Sequence, residues 1–156
     1  MLFDGSAYDL PWDGTRSLPD STSPVIPSID YAIFLINAVK FHCGRLFHVF
    51  DEQTFMSHFK RFHDSDDAKG DIPILWYVHY LLILAFGKEF VVRAAKGRKP
   101  AGADLYVKAA KLLPDIIYLR TDPIQSIEIL ICAALYLQCL DLRSGAHNMV
   151  SHPCFG

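Results

Sequence analysis

Hydrophobic residues recur along the chain at helical spacing rather than in alternation, and in two places they surround the helix altogether. The first is residues 121 to 143, TDPIQSIEILICAALYLQCLDLR, where Ile129 to Leu137 is an unbroken run of nine uncharged residues. Asp122 stands as an N-cap, with Pro123 at the first helical position and Gln125 three residues after the cap, the pattern of a capping box. The second is PILWYVHYLLILAFGKEF, opened by Pro73, in which His79 is the only polar interruption from Ile72 to Phe86. Gly87 either ends it or lies inside a helix that continues through Phe90 and Val91. A helix apolar all round must be surrounded by protein or by lipid. A membrane span takes about 20 predominantly apolar residues. Glu128 and Gln138 bracket one run and His79 interrupts the other, so both read as buried in protein. Residues 121–143 are then the element around which the rest is organised.

The remaining segments read as amphipathic helices. Ser28 is placed to cap the first, with Tyr31, Phe34, Leu35, Ala38 and Phe41 or His42 as its apolar stripe. After Gly44, the residues Leu46, Phe47, Val49 and Phe50 are expected to be buried. Asp51 caps a second helix whose apolar face is Phe55, Met56, Phe59 and Phe62. HDSDDAKGD is a charged loop. A further helix, DLYVKAAKLL, stops near Pro114, because the residue before a proline avoids helical geometry. IIYLR adds a turn or an extended piece, and Ser144 and Gly145 mark a break after the long apolar helix. The fold class is all-α: an irregular array of five to six helices with mostly short connections, incomplete at the C-terminus. Residues 1–27, with four of the nine prolines, read as a disordered or extended tail. Tyr8, Leu10 and Trp12 are its candidate docking residues. Residues 28–150 form the helical domain and 151–156 an irregular end.

Composition narrows the function. A net charge of −2 supplies no general basic field for DNA, and 51% hydrophobic residues with eleven Phe and seven Tyr imply a large core or a surface awaiting a partner. Cys43, Cys132, Cys139 and Cys154 are scattered. Two helical turns, about 10 Å, separate Cys132 from Cys139, too far for a disulfide, so free thiols are expected. The N-terminus has neither a basic region nor a long apolar stretch, so no signal peptide is expected.

Candidate chemistry is sparse. His42, Cys43, His48, His58, His63 and His79 invite a metal, but none of the spacings is that of a helical zinc motif, and no metal or cofactor is expected. Asp64, Asp66 and Asp67 lack the glycine and glutamate of a calcium hand. Asp122 and Glu128 are six residues apart, and Asp122 already caps a helix. No phosphate-binding loop, dinucleotide fingerprint or nucleophile elbow is present, so no catalytic residue is assigned. Two weaker features remain. Lys88, Arg93, Lys96, Arg98 and Lys99 form a basic patch or import signal, read more plainly as a solvated loop. Trp76, Tyr77, Tyr80 and Tyr136 could line a ligand cavity, and read more plainly as core.

Four segments in order resemble the middle homology region of fungal zinc-cluster transcription factors: AVKFHCGRLFHVFDEQTFMSHFKRFH, LWYVHYLLILAFGKEF, AAKLLPDI and DPIQSIEILICAALYLQCLDLRSGAHNMV. The resemblance spans roughly residues 28–150. It implies an all-helical regulatory domain, located in the nucleus, that takes part in regulating transcription and is not an enzyme. In that family DNA is held by a separate module with two zinc ions and six cysteines. That module is not in this chain, so DNA binding is expected only through a module it lacks. The family's region also continues past the position of Val150, so the resemblance implies a truncated domain. The apolar helices 73–86 and 123–140 would then lack part of their wrapping. Self-association or protein partners are expected, and no membrane. The alternatives are a small-molecule-binding helical sensor and, behind it, a metal-dependent helical enzyme.

Overall fold

The computed structural model describes residues 25–64, 70–92 and 100–151, with side chains for all of these except 116 and 141–151. Six helices are found among them: α1 (Ile29–Cys43), α2 (Glu52–Asp64), α3 (Ile74–Val91), α4 (Ala103–Leu112), α5 (Ile116–Leu119) and α6 (Pro123–Ser151). No strand occurs among the described residues, and the fold is all-α. The docking residues of the N-terminal tail, the acidic positions Asp66 and Asp67, the stretch Arg93 to Lys99 and residues 152–156 lie outside the described residues.

The starts of the helices follow the capping chemistry of the sequence. Ser28 Oγ accepts from Tyr31 N at 3.4 Å, Asp51 Oδ2 from Thr54 N at 3.0 Å, and Asp122 Oδ1 from Gln125 N at 3.0 Å. α4 is preceded by its N-cap Gly102, whose φ of 77° is the left-handed conformation, and a Cβ there would stand 2.6 Å from the Ala85 carbonyl oxygen. α4 ends at Leu112, two residues before Pro114.

The hub of the fold is α3, not α6. α1, α4 and α6 lie closest along it, and Val78 and Tyr80 through Ala85 are sealed from solvent on every side. α2 stands further off, because its large rings fill the space between the backbones. Phe55, Phe59 and Phe62 meet Trp76 and Tyr80, whose rings stack at 5.0 Å, and Trp76 Nε1 donates to the Phe55 carbonyl at 3.1 Å. Over Pro123–Leu140, α6 buries one side only: Ser126, Glu128, Ile129, Cys132, Tyr136 and Leu140 face inward. Ile124, Ile127, Leu130 and Leu137 form the opposite, exposed stripe. By length and composition both α3 and α6 could cross a membrane. Inside the protein 72% of the α3 span is buried, against 33% of the Pro123–Leu140 span of α6. A run apolar on all sides requires a surround, but only tertiary packing decides which run receives it.

Two further expectations differ from the structure. The buried side of α1 is Ala32, Leu35, Ile36, Val39 and Cys43, while Tyr31, Phe34 and Phe41 point outward. α1 is apolar on both sides, and its aliphatic side is the one slim enough for close approach to α3. Leu46 and Phe47 are likewise exposed, whereas Val49 and Phe50 are buried as expected. The second difference is at Ser144 and Gly145, where α6 continues through to Ser151. A single glycine inside a helix costs only about 1 kcal/mol, and no proline enforces a stop.

Candidate functional site

The segment linking α1 to α2 organises a place where polar side chains converge beside an apolar wall. The chain leaves α1 through bonds from Leu46 N and Phe47 N to the Cys43 carbonyl, both 2.9 Å, then dips inward at Val49 and Phe50. The Val49 carbonyl is held from two helices. His79 Nε2 on α3 donates to it at 2.8 Å, and the Cys132 thiol on α6 lies 3.6 Å from it. Because a carbonyl only accepts, the His79 proton sits on Nε2 and the lone pair on Nδ1. Burial pushes the His79 pKa down to about 4, so the ring is neutral at ordinary pH.

Beside this anchor lies an open cleft of about 580 Å³. Its apolar walls are Phe50, Phe55, Leu75, Trp76, Tyr118 and Ile124. Its polar lining is His48, Asp51, Thr54, His58, His79, Thr121, Asp122, Gln125 and Glu128. The caps of α2 and α6 therefore both open onto it. Hydrogen bonds from Thr54 hold the exposed Asp51 carboxyl below its usual range. Glu128 goes the other way. Burial raises its pKa, the neighbouring charges of Asp51 and Asp122 add to the rise, and His48 opposes it. His48 Nε2 stands 2.9 Å from Glu128 Oε1, an ion-pair distance, but without hydrogen-bond alignment, so that buried oxygen has no hydrogen-bond partner. His79 Nδ1 is also buried without a partner.

His79 and Cys132 form a close histidine–cysteine pair, with Nε2 and Sγ 3.9 Å apart. They do not make a nucleophilic dyad. His79 spends its Nε2 proton on Val49, Cys132 is fully buried, and burial drives its thiol far above the range in which a thiolate forms. Burial likewise pushes Cys43 up to about 11.

Among the described side chains, His42, His58 and His63 each have a local partner. His42 stacks on Phe90 at 4.4 Å, His58 Nδ1 lies 3.0 Å from the Thr54 carbonyl, and His63 Nε2 lies 3.0 Å from the Tyr80 hydroxyl. No group of three or more metal donors stands together among the described residues. The four aromatics expected to share a cavity divide into two clusters. Trp76, Tyr77 and Tyr80 pack around Phe62 at 5.6 to 5.8 Å, and of the four only Trp76 lines the cleft. Tyr136 stacks on Tyr106 at 4.7 Å and donates to the Ala101 carbonyl at 2.9 Å. Of the basic patch only Lys88 is described, half-buried near the end of α3.

The cleft was not legible as such in the chain. Its one local signal is Glu128, the lone charged residue between Pro123 and Leu140 of α6, on the inward side of the helix. Compared with known proteins, the chain matches no family model, no curated protein and no solved structure.

Proposed function

We propose that this chain is a helical protein-interaction domain that regulates rather than catalyses, and that it works in transcription in the nucleus, as its resemblance to the middle homology region of fungal zinc-cluster factors implies. The observation that carries the interaction reading is the outer stripe of α6. Ile124 is 71% exposed, Ile127 57% and Leu130 50%, on the same helix whose inner side is core. Tyr118 and Ile117 of α5 extend the apolar area beside it. Apolar surface that recurs along one side of a helix is the usual mark of a protein contact. The role in transcription rests on the resemblance alone, and any DNA contact would come from a separate module.

Light scattering on the purified chain tests the interaction reading. The expected result is a species larger than a monomer, shifted towards monomer by Ile127→Glu with Leu130→Lys and with helical content unchanged. A monomer with a cooperative melt and little hydrophobic-dye binding would overturn it. A fluorescent fusion that stays out of nuclei would overturn the nuclear part. A sensor role is the second reading, favoured by the cleft between α2, α3 and α6.

A further inference from the structure

We infer, resting on the interaction reading above, that the exposed stripe of α6 is the interface of a homodimer, in which two copies of α6 lie antiparallel about a two-fold axis level with residue 132. The spacing of the stripe carries the orientation. Ile127, Leu130, Ala134 and Leu137 are all exposed and stand three, four and three residues apart. That is the seam spacing of paired helices, in which side chains of one helix fit between those of another. The same spacing reads identically in both directions. An antiparallel copy therefore sets Ile127 against the partner's Leu137 and Leu130 against the partner's Ala134. A two-fold axis repeats both pairs, as an isologous interface requires. Leu130 meets the small Ala134 on either side of the axis, so the two backbones come close. A parallel copy would instead set Ala134 against the partner's Ala134 and leave a gap between the helices.

Charge favours a second copy. From Pro123 to Leu140 the only charged residue of α6 is Glu128, which is buried, so two stripes meet with no like charges opposed. The positions flanking the seam, Ile124, Ile131, Ala133 and Gln138, are uncharged as well. Salt bridges at such flanking positions are what select an unlike partner helix, and this seam carries none of their charges. The area suits a dimer that exchanges with monomer. With Ala134 and with Tyr118, which lines the cleft beside Ile124, the stripe presents roughly 500 Å² of accessible surface, against about 800 Å² per partner in a standard interface. More is available because α6 runs on to Ser151. The end of each α6 then passes the partner's Pro123 towards its α5, the helix on which Ile117 is exposed.

Sedimentation velocity of the full chain tests the proposal through an exchange of charges. Wild type is expected to pass from monomer to dimer as its concentration rises to about 100 μM. Ile127→Glu sets a carboxylate against the partner's Leu137, and Leu137→Lys sets an ammonium against the partner's Ile127. Each variant alone is expected to weaken the dimer about a hundredfold, because it buries an unpaired charge. Mixed in equal amounts, the two are expected to dimerise again, since the carboxylate of one then faces the ammonium of the other and the second pair is native. A parallel pair sets position 127 against 127 and gives no such rescue. Ala134→Leu enlarges the apolar stripe but fills the space that Leu130 occupies, so it too is expected to weaken the dimer. All three positions are exposed, and unchanged helical content with a cooperative melt shows that each variant is folded. No rescue on mixing, or tighter association in Ala134→Leu, would overturn the proposal. A wild type that associates without rescue leaves the interaction reading standing in another geometry. A wild type that stays monomeric at about 100 μM also overturns the proposal, and its flotation with phosphatidylcholine vesicles would give the stripe to lipid. The interaction reading falls with it only where the monomer also binds little hydrophobic dye, so the two failures are distinguishable.

Discussion

Gly87 of α3 lies so close against Leu35 of α1 that a Cβ placed on it would stand 2.7 Å from the Leu35 carbonyl oxygen and 2.8 Å from the Leu35 Cβ. The two helices approach through a notch that only a residue without a side chain provides. This contact explains two features at once. It accounts for a glycine in the interior of α3, and it selects the aliphatic side of α1 for the core over the side carrying Phe34 and Phe41.

Gly87→Ala is therefore expected to destabilise the protein despite improving helix propensity. Overpacking costs about 1–3 kcal/mol, against a propensity gain of about 1 kcal/mol. Urea denaturation should show a net loss, while Gly70→Ala, where a Cβ meets nothing within 4 Å, should be close to neutral. An unchanged midpoint for Gly87→Ala would mean that the α1–α3 contact relaxes freely.

How far the fold could be read from the chain follows from the same example. Local rules were legible: Ser28, Asp51 and Asp122 each cap the helix expected of them, and Leu113, before Pro114, is already outside α4. These signals depend only on neighbours in sequence. The choice of hub was not legible, because 74–91 and 123–140 are both apolar on most sides and differ only in what the rest of the chain packs around them. The cleft was least legible of all. Val49, His79 and Glu128 come from three separate segments, and nothing in their spacing announces that they meet.

The Asp122 cap gives a second prediction. Its Oδ1 satisfies the Gln125 amide, one of the otherwise unpaired donors in the first turn of α6. Asp122→Ala is expected to cost about 1 kcal/mol, and Asp122→Asn only a few tenths. Amide exchange should quicken first at residues 124–127 in the alanine variant. Equal protection in both variants would show that packing alone holds the start of α6.

Because α2 is held mainly by aromatic side chains, truncating the central ring should loosen that helix before the rest. Trp76→Phe removes the bond to the Phe55 carbonyl and part of the stack on Tyr80. The expected loss is about 2–3 kcal/mol, with faster amide exchange concentrated in residues 52–64. Uniformly faster exchange across α3, α4 and α6 would instead mean that α2 unfolds only with the whole domain.

The buried His79 should set the acid side of the stability profile. Its pKa falls from 6.5 to about 4 on folding, chiefly through burial. A group depressed in this way binds its proton more readily in the unfolded chain. Its stabilising contribution is complete above pH 6.5 and is lost as pH falls towards about 4. The shift corresponds to about 3 kcal/mol across that window. Glu128 works against it, since its raised pKa favours the folded state as pH falls, and the exposed Asp51 adds only a small effect. A variant comparison separates the groups. In His79→Gln the side-chain amide can still donate to the Val49 carbonyl but takes up no proton in this range. Chemical denaturation at pH 7, 6 and 5 should show wild-type stability falling more steeply than that of His79→Gln. Parallel curves would mean that His79 is charged, or reaches water, in the folded protein.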